Sequence, residues 1–204
     1  MVSRFLYIPN LIGYSRMILM FIAYYVHETH PLVFIICYAL SQLLDMLDGR
    51  AARAFNQATK FGAMLDMVTD RCSTVGLMLT LSARYPQYTF WCHVFIWLDI
   101  CSHWCHMLSS GKKSHKLILG GPWLLRYYYA TNWFMVLLII GAEGFPLCLY
   151  ALSFKEMFPP ESIPLIKLGM FSMLPLFILK HIINVIQFVH ASILLDEPDE
   201  EKAK

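Results

Sequence analysis

The chain has 204 residues, of which 58% are apolar and 15% charged, against about 45–50% and 25% in an ordinary soluble domain. Roughly 120 apolar residues would fill five or six bilayer-spanning helices of about 20 residues each and leave little for a large soluble domain. The 15% aromatic content excludes disorder, and a net charge of +2 gives no basis for a nucleic-acid partner. Long unbroken apolar runs also argue against an alternating membrane barrel. The expected fold class is an all-α integral membrane protein.

In chain order, apolar runs fall at about 8–26, 31–48, 63–83, 88–108, 131–153 and 164–194, each long enough to cross a hydrocarbon core of about 30 Å. Met17–Val26 has the length of a signal-peptide core. Asn10, Ser15 and Arg16 interrupt its approach and no small-residue cleavage site follows, so it reads as a retained first span. The breaks at His27–Pro31 and Arg84–Gln87 carry Pro and polar groups, as turns between antiparallel neighbours do. Six spans put both termini on one side, together with Arg4, Arg50, Arg53, Lys60, Lys112, Lys113, Lys116, Arg126, Lys202 and Lys204. The loops of the other side hold only Arg84 and Lys155, so the basic side is expected to be cytosolic. Residues 1–195 thus read as one membrane domain and 196–204 as an acidic cytosolic tail. The six cysteines form no CxxC pair and read as reduced, packed thiols.

Only four acidic residues lie between 40 and 75, and they fall in one block. Asp45 and Asp48 are i, i+3 near the end of the second run, and Asp66 and Asp70 are i, i+4 near the start of the third. Each pair shares a helix face, and antiparallel packing would bring the pairs together. Four converging carboxylates repel one another unless cations neutralise them, and an all-oxygen set suits Mg²⁺ or Mn²⁺, two ions being the natural number. Gly62, at i−4 from Asp66, leaves room beside the carboxylate stripe, and Gly49 lets backbone approach a phosphate. Arg53 and Lys60 in the connecting loop would supply charge to hold one. These features describe a metal site for a pyrophosphate attached to a lipid.

The block resembles the signature of the CDP-alcohol phosphotransferase family, D-x2-D-G-x2-A-R-x8-G-x3-D-x3-D, with every fixed position filled from Asp45 to Asp70. Pro9-Asn10-Leu-Ile-Gly13-Tyr-Ser-Arg16 is similar to that family's amphipathic opening, with Gly13 where many members carry Thr. The resemblance implies six transmembrane helices preceded by a short amphipathic N-terminal segment, a homodimer, and a dimetal site facing the cytosol. It further implies Asp45, Asp48, Asp66 and Asp70 as metal ligands, Asp70 also as the base, and Gly49, Arg53 and Thr59 as CDP-lipid contacts; Gly62 joins that group through its open surface.

The acceptor must be read from other residues. Asp99, His103 and His106 stand at i, i+4 and i+7 on an otherwise apolar fourth run, and ionisable groups inside a membrane are functional candidates. The alternative is that they satisfy one another or a buried water. With Lys116 and Arg126 beyond them, the pattern Asp-x3-His-Trp-x-His, Ser-His-Lys and Pro-x2-Leu-Arg-x-Tyr-Tyr resembles the eukaryotic phosphatidylinositol synthases of that family. The implied reaction is transfer of a phosphatidyl group from CDP-diacylglycerol to myo-inositol, at the endoplasmic reticulum membrane. The acceptor candidates are Asp99, His103, Lys116 and Arg126. Rival readings are a family member using glycerol phosphate, serine or choline, and a small divalent-cation transporter. The run beyond about 135 shows only generic apolar helices.

Overall fold

A computed structural model describes residues 3–119 and 121–196, with 111–119 described as backbone only. Seven helices follow one another: α1 (Ile8–Val26), α2 (Pro31–Ala54), α3 (Lys60–Arg84), α4 (Thr89–Leu119), α5 (Trp123–Ala130), α6 (Asn132–Ser153) and α7 (Ile163–Asp196). There is no strand among the described residues. α1 packs chiefly on α2, and α6 and α4 on α7, while α3 contacts α1, α4 and α6.

Prolines near the first turns start α1 and α2, where a missing N–H costs nothing. Thr59 caps α3, its Oγ1 accepting the Gly62 N–H at 2.9 Å. Between α2 and α3, Asn56 takes a positive φ of 52°, a conformation asparagine tolerates. Gln57 then reaches back, its Oε1 accepting the Ile8 N–H at 2.9 Å and so occupying one of α1's unpaired first-turn amides. That bond fixes the start of α1 against the α2–α3 loop.

Polar side chains are buried beside the apolar core while many large apolar ones are exposed. Arg16, Ser41, Asn184 and Gln187 are buried to 1% exposure or less, whereas Phe21, Leu165 and Leu168 are each more than 60% exposed. In water that distribution would cost heavily, and in lipid it is the stable one. α2, α6 and the segment Pro160–Asp196 are long and apolar enough to cross a membrane. α1, α3 and α4 have 19, 25 and 31 residues and bury polar groups of their own, among them Arg16, Thr69 and Asp99. Away from the carboxylates, Phe34, Tyr38 and Tyr150 form a closed aromatic core with Leu77 and Ala23, and the Tyr150 hydroxyl donates to the His27 carbonyl at 2.6 Å.

Several boundaries differ from expectation. The amphipathic opening is not a separate helix: a single 3₁₀ turn at Arg4–Leu6 leads directly into α1, which contains Pro9 to Arg16. Residues 109–116, expected as a loop, continue α4, and α5 is an additional short helix. The side chains of Lys112, Lys113 and Lys116 and the acidic tail beyond Asp196 lie outside the described residues.

The α6–α7 crossing depends on Gly141, where an added Cβ would lie 2.2 Å from Leu176 Cβ. Gly141→Ala is therefore expected to force the helices apart at a cost of about 1–3 kcal/mol. A thermal midpoint in detergent lower by about 2–12 °C checks this, and an unchanged midpoint would show that the crossing yields without cost.

Candidate active site

Two helices bring the four aspartates together: the last turns of α2 present Asp45 and Asp48, and the first turns of α3 present Asp66 and Asp70. α1 supplies their cation. The Arg16 Nη1 lies 2.7 Å from Asp45 Oδ1, 2.8 Å from Asp48 Oδ2 and 2.9 Å from Asp66 Oδ1, and Nη2 donates to Asp70 Oδ1. The guanidinium is fully buried and its Nε has no partner among the described residues. Arg16 reads in the sequence as a polar interruption of an apolar run; in the fold it is the centre of the carboxylate cluster.

Two cavities meet at this cluster. The first, of about 210 Å³, is lined by Asp48 and Asp66 together with Gly49, Arg53, Thr59 and Gly62. The missing side chain of Gly62 matters here, because a Cβ would meet Asn10 Oδ1 at 3.0 Å and Thr59 Oγ1 at 3.2 Å. Gly62 thus lets α1 approach α3 as well as leaving the wall of the cavity open. Arg53 lies in the last turn of α2 and Lys60 opens α3; neither belongs to a free loop, and both are exposed.

The second cavity, of about 60 Å³, shares no lining residue with the first and is lined by Asp45, Asp70, Arg71, Thr74, Asp99, Glu143, Lys180 and Asn184 among others. Arg71 Nη1 donates to both Asp99 oxygens at 2.6 Å, and Arg71 Nη2 lies 3.5 Å from Asp70 Oδ2. Asn184 Nδ2 also donates to Asp99 Oδ1, at 3.4 Å. Glu143 accepts from the Tyr38 hydroxyl at 2.5 Å and from Thr74 Oγ1 at 2.9 Å. Lys180, 6% exposed, donates to Asn184 Oδ1 at 2.5 Å.

The expected acceptor residues fare unequally. Asp99 lines the second cavity. His103 stands behind it, its Nδ1 3.5 Å from Arg71 Nη1 and 2.8 Å from the Asp99 carbonyl. His106 stacks on Tyr129 with ring centroids 5.0 Å apart. Arg126 is exposed on α5 and lines neither cavity, so the structure does not bring it to the site. Sequence reasoning passed over Arg71, Glu143, Lys180 and Asn184. The available signal was the presence of ionisable residues inside apolar helices, reinforced on α7 by the i, i+4, i+7 spacing of Lys180, Asn184 and Gln187.

The aspartates fit a divalent cation. Single oxygens of Asp45, Asp48 and Asp66 lie within 4.8 Å of one another, close to the span of about 4 Å across a Mg²⁺ ion whose bonds are about 2.1 Å. All donors are hard carboxylates, as such an ion requires. One guanidinium facing four carboxylates also leaves a surplus of negative charge.

Comparison with known proteins identifies the family. The profile of the CDP-alcohol phosphatidyltransferase family matches residues 6–195. The human CDP-diacylglycerol--inositol 3-phosphatidyltransferase is 42% identical, the alignment covering 98% of this chain and 97% of the human one. The Drosophila melanogaster protein of the same name is 40% identical over 96% of this chain and 87% of its own. The Schizosaccharomyces pombe one is 38% identical over 98% and 93%. No solved structure matches the chain significantly. With a family profile spanning nearly its whole length and its aspartates gathered around one buried arginine, the chain belongs to the CDP-alcohol phosphatidyltransferase family.

Proposed function

We propose that this chain transfers a phosphatidyl group from CDP-diacylglycerol to myo-inositol, giving phosphatidylinositol and CMP. The observation that carries this reading is the division of the aspartates between two cavities. Asp48 and Asp66 face the glycine-lined one, and Asp45 and Asp70 the polar one. A donor in one cavity and an acceptor in the other would meet at one cluster, as a displacement between two bound substrates needs.

Gly49, Arg53, Thr59 and Gly62 hold the CDP moiety in the first cavity, where Arg53 can pair with phosphate oxygens. Asp45, Asp48, Asp66 and Asp70 hold the metal, Mg²⁺ or Mn²⁺ and two ions by charge. When bound, the metal neutralises the pyrophosphate and the departing CMP. Asp70 takes the proton from the acceptor hydroxyl, which it can reach from the polar cavity. The hydroxyl oxygen bonds to the phosphorus that bears diacylglycerol. The bond from that phosphorus to the bridging oxygen breaks, and CMP leaves with the electron pair.

The charge of the polar cavity favours a neutral acceptor. With Asp45 and Asp70 neutralised by metal, Asp99 and Glu143 balance Arg71 and Lys180, which leaves no surplus cation for a phosphorylated alcohol. Arg126, exposed on α5, does not add to that cavity.

In the membrane, α1, α2, α3, α4, α6 and α7 make six spans. The 8 residues of α5 rise only about 12 Å and lie at the surface. Both termini and the aspartates then face the cytosol, with Arg84 and Glu28, paired at 3.3 Å, on the other side. The endoplasmic reticulum and a homodimer complete this reading.

CMP release in mixed micelles with CDP-diacylglycerol and Mg²⁺ tests it. Release with myo-inositol, and none above background with glycerol 3-phosphate, serine, choline or no acceptor, is the expected result. Release with another alcohol instead would replace the acceptor, and none with any of them would return the cluster to cation transport.

A further inference from the structure

Lys180 is a buried ammonium with three donors, and its only hydrogen bond among the described residues is to Asn184 Oδ1 at 2.5 Å. No carboxylate lies within 4 Å of it among the described residues, and its nearest aromatic face is Tyr128 at 5.4 Å. Glu143 is equally unusual: a carboxylate inside an apolar helix, bonded to the hydroxyls of Tyr38 and Thr74 and, among the described residues, to no cation within the same range. Both line the polar cavity that contains Asp70, yet they are not paired with each other. Opposite charges held apart in a low-dielectric interior cost free energy, unless something between them serves both.

We propose that Lys180 and Glu143, oriented by Asn184 and by Tyr38 and Thr74, grip the ring hydroxyls of the polyol acceptor and turn one of them toward Asp70. The inference rests on the activity proposed above and adds residues of α6 and α7 to it. A hydroxyl both donates and accepts, so neighbouring hydroxyls of a cyclic polyol can accept from the ammonium and donate to the carboxylate. A monohydroxy alcohol or an amino alcohol satisfies only part of that set, and the rest would stay desolvated without a partner. This is how a site built around hydroxyls rejects analogues that lack them.

Lys180→Met and Glu143→Gln test the proposal, with initial rates measured against myo-inositol and against CDP-diacylglycerol separately. Each variant is expected to raise the KM for inositol about ten- to hundredfold, the loss of one charge-assisted hydrogen bond. The KM for CDP-diacylglycerol should stay within about twofold, because the donor occupies the other cavity. A series of monodeoxy-inositols adds a second reading: at least one should lose about tenfold with the unaltered enzyme and far less with Lys180→Met. Glu143→Gln is isosteric and still able to bond Tyr38 and Thr74, so it carries the test should Lys180→Met fail to insert. An unaltered enzyme that makes no CMP with inositol would undo the assigned activity. An active one whose variants keep the inositol KM, or lose donor KM equally, would undo this inference alone.

Discussion

Asp70→Asn is expected to insert, to bind CDP-diacylglycerol with unchanged KM, and to turn over about 10²–10⁴-fold more slowly than the unaltered chain. The substitution spares most of the local structure. Asn keeps the volume of Asp and one oxygen that can still accept from Arg16 Nη2. The bonds that Ser73 and Thr74 make here go to the Asp70 backbone carbonyl, at 2.8 and 3.2 Å, and are untouched. What disappears is the negative charge and with it the ability to take a proton. Asp70 borders the polar cavity, while the tight three-oxygen group is formed by Asp45, Asp48 and Asp66. Loss of Asp70 should therefore appear in turnover more than in metal retention. Single-turnover CMP release and the affinity for Mn²⁺, measured on one preparation, separate the two effects. Near-normal turnover would remove Asp70 from the role of base, and a loss of Mn²⁺ affinity as large as the loss of rate would make it chiefly a ligand.

How much of this site could be read from the chain depends on the distance over which a pattern acts. The pairs Asp45/Asp48 and Asp66/Asp70 are local spacings, and a helix puts them on one face whatever surrounds it. The short loop between their helices then makes convergence nearly unavoidable, so the cluster was legible. Arg16 was not, because its partners lie 32 to 54 residues away for the three hydrogen bonds it donates. Nothing in its own neighbourhood says which helix it will face. Lys180 meets Asp99 through Asn184, across 85 residues, for the same reason. Hydropathy alone reads α6 and α7 as generic spans, since one ionisable residue in 22 positions and five in 34 leave both means strongly apolar. Arg126 shows the converse case. A basic residue near a site in sequence can still fall on the exposed face of α5.

Removing the charge of Arg16 should produce the largest loss of stability in the molecule, and one that depends on metal. In Arg16→Met the side chain keeps much of its length, but the carboxylates of Asp45, Asp48, Asp66 and Asp70 lose the one group that contacts all four. Breaking a buried charge arrangement from one side costs about 3–5 kcal/mol, because the partner charges stay desolvated. For a chain of this size that corresponds to a midpoint lower by about 6–20 °C in detergent with EDTA. Lys at this position restores the charge but not the planar fork that reaches several oxygens at once, so Arg16→Lys should fall between. The informative arm is Mn²⁺. A divalent cation neutralises the same oxygens, so saturating Mn²⁺ should raise the midpoint of Arg16→Met more than that of the unaltered chain and close most of the gap. Stabilisation by a ligand grows with its affinity for the folded state, and that affinity should be higher where no guanidinium competes for the carboxylates. An equal shift in both proteins would mean that Arg16 and the metal use different oxygens. A midpoint unaffected by the substitution would mean that the aspartates need no internal cation at all.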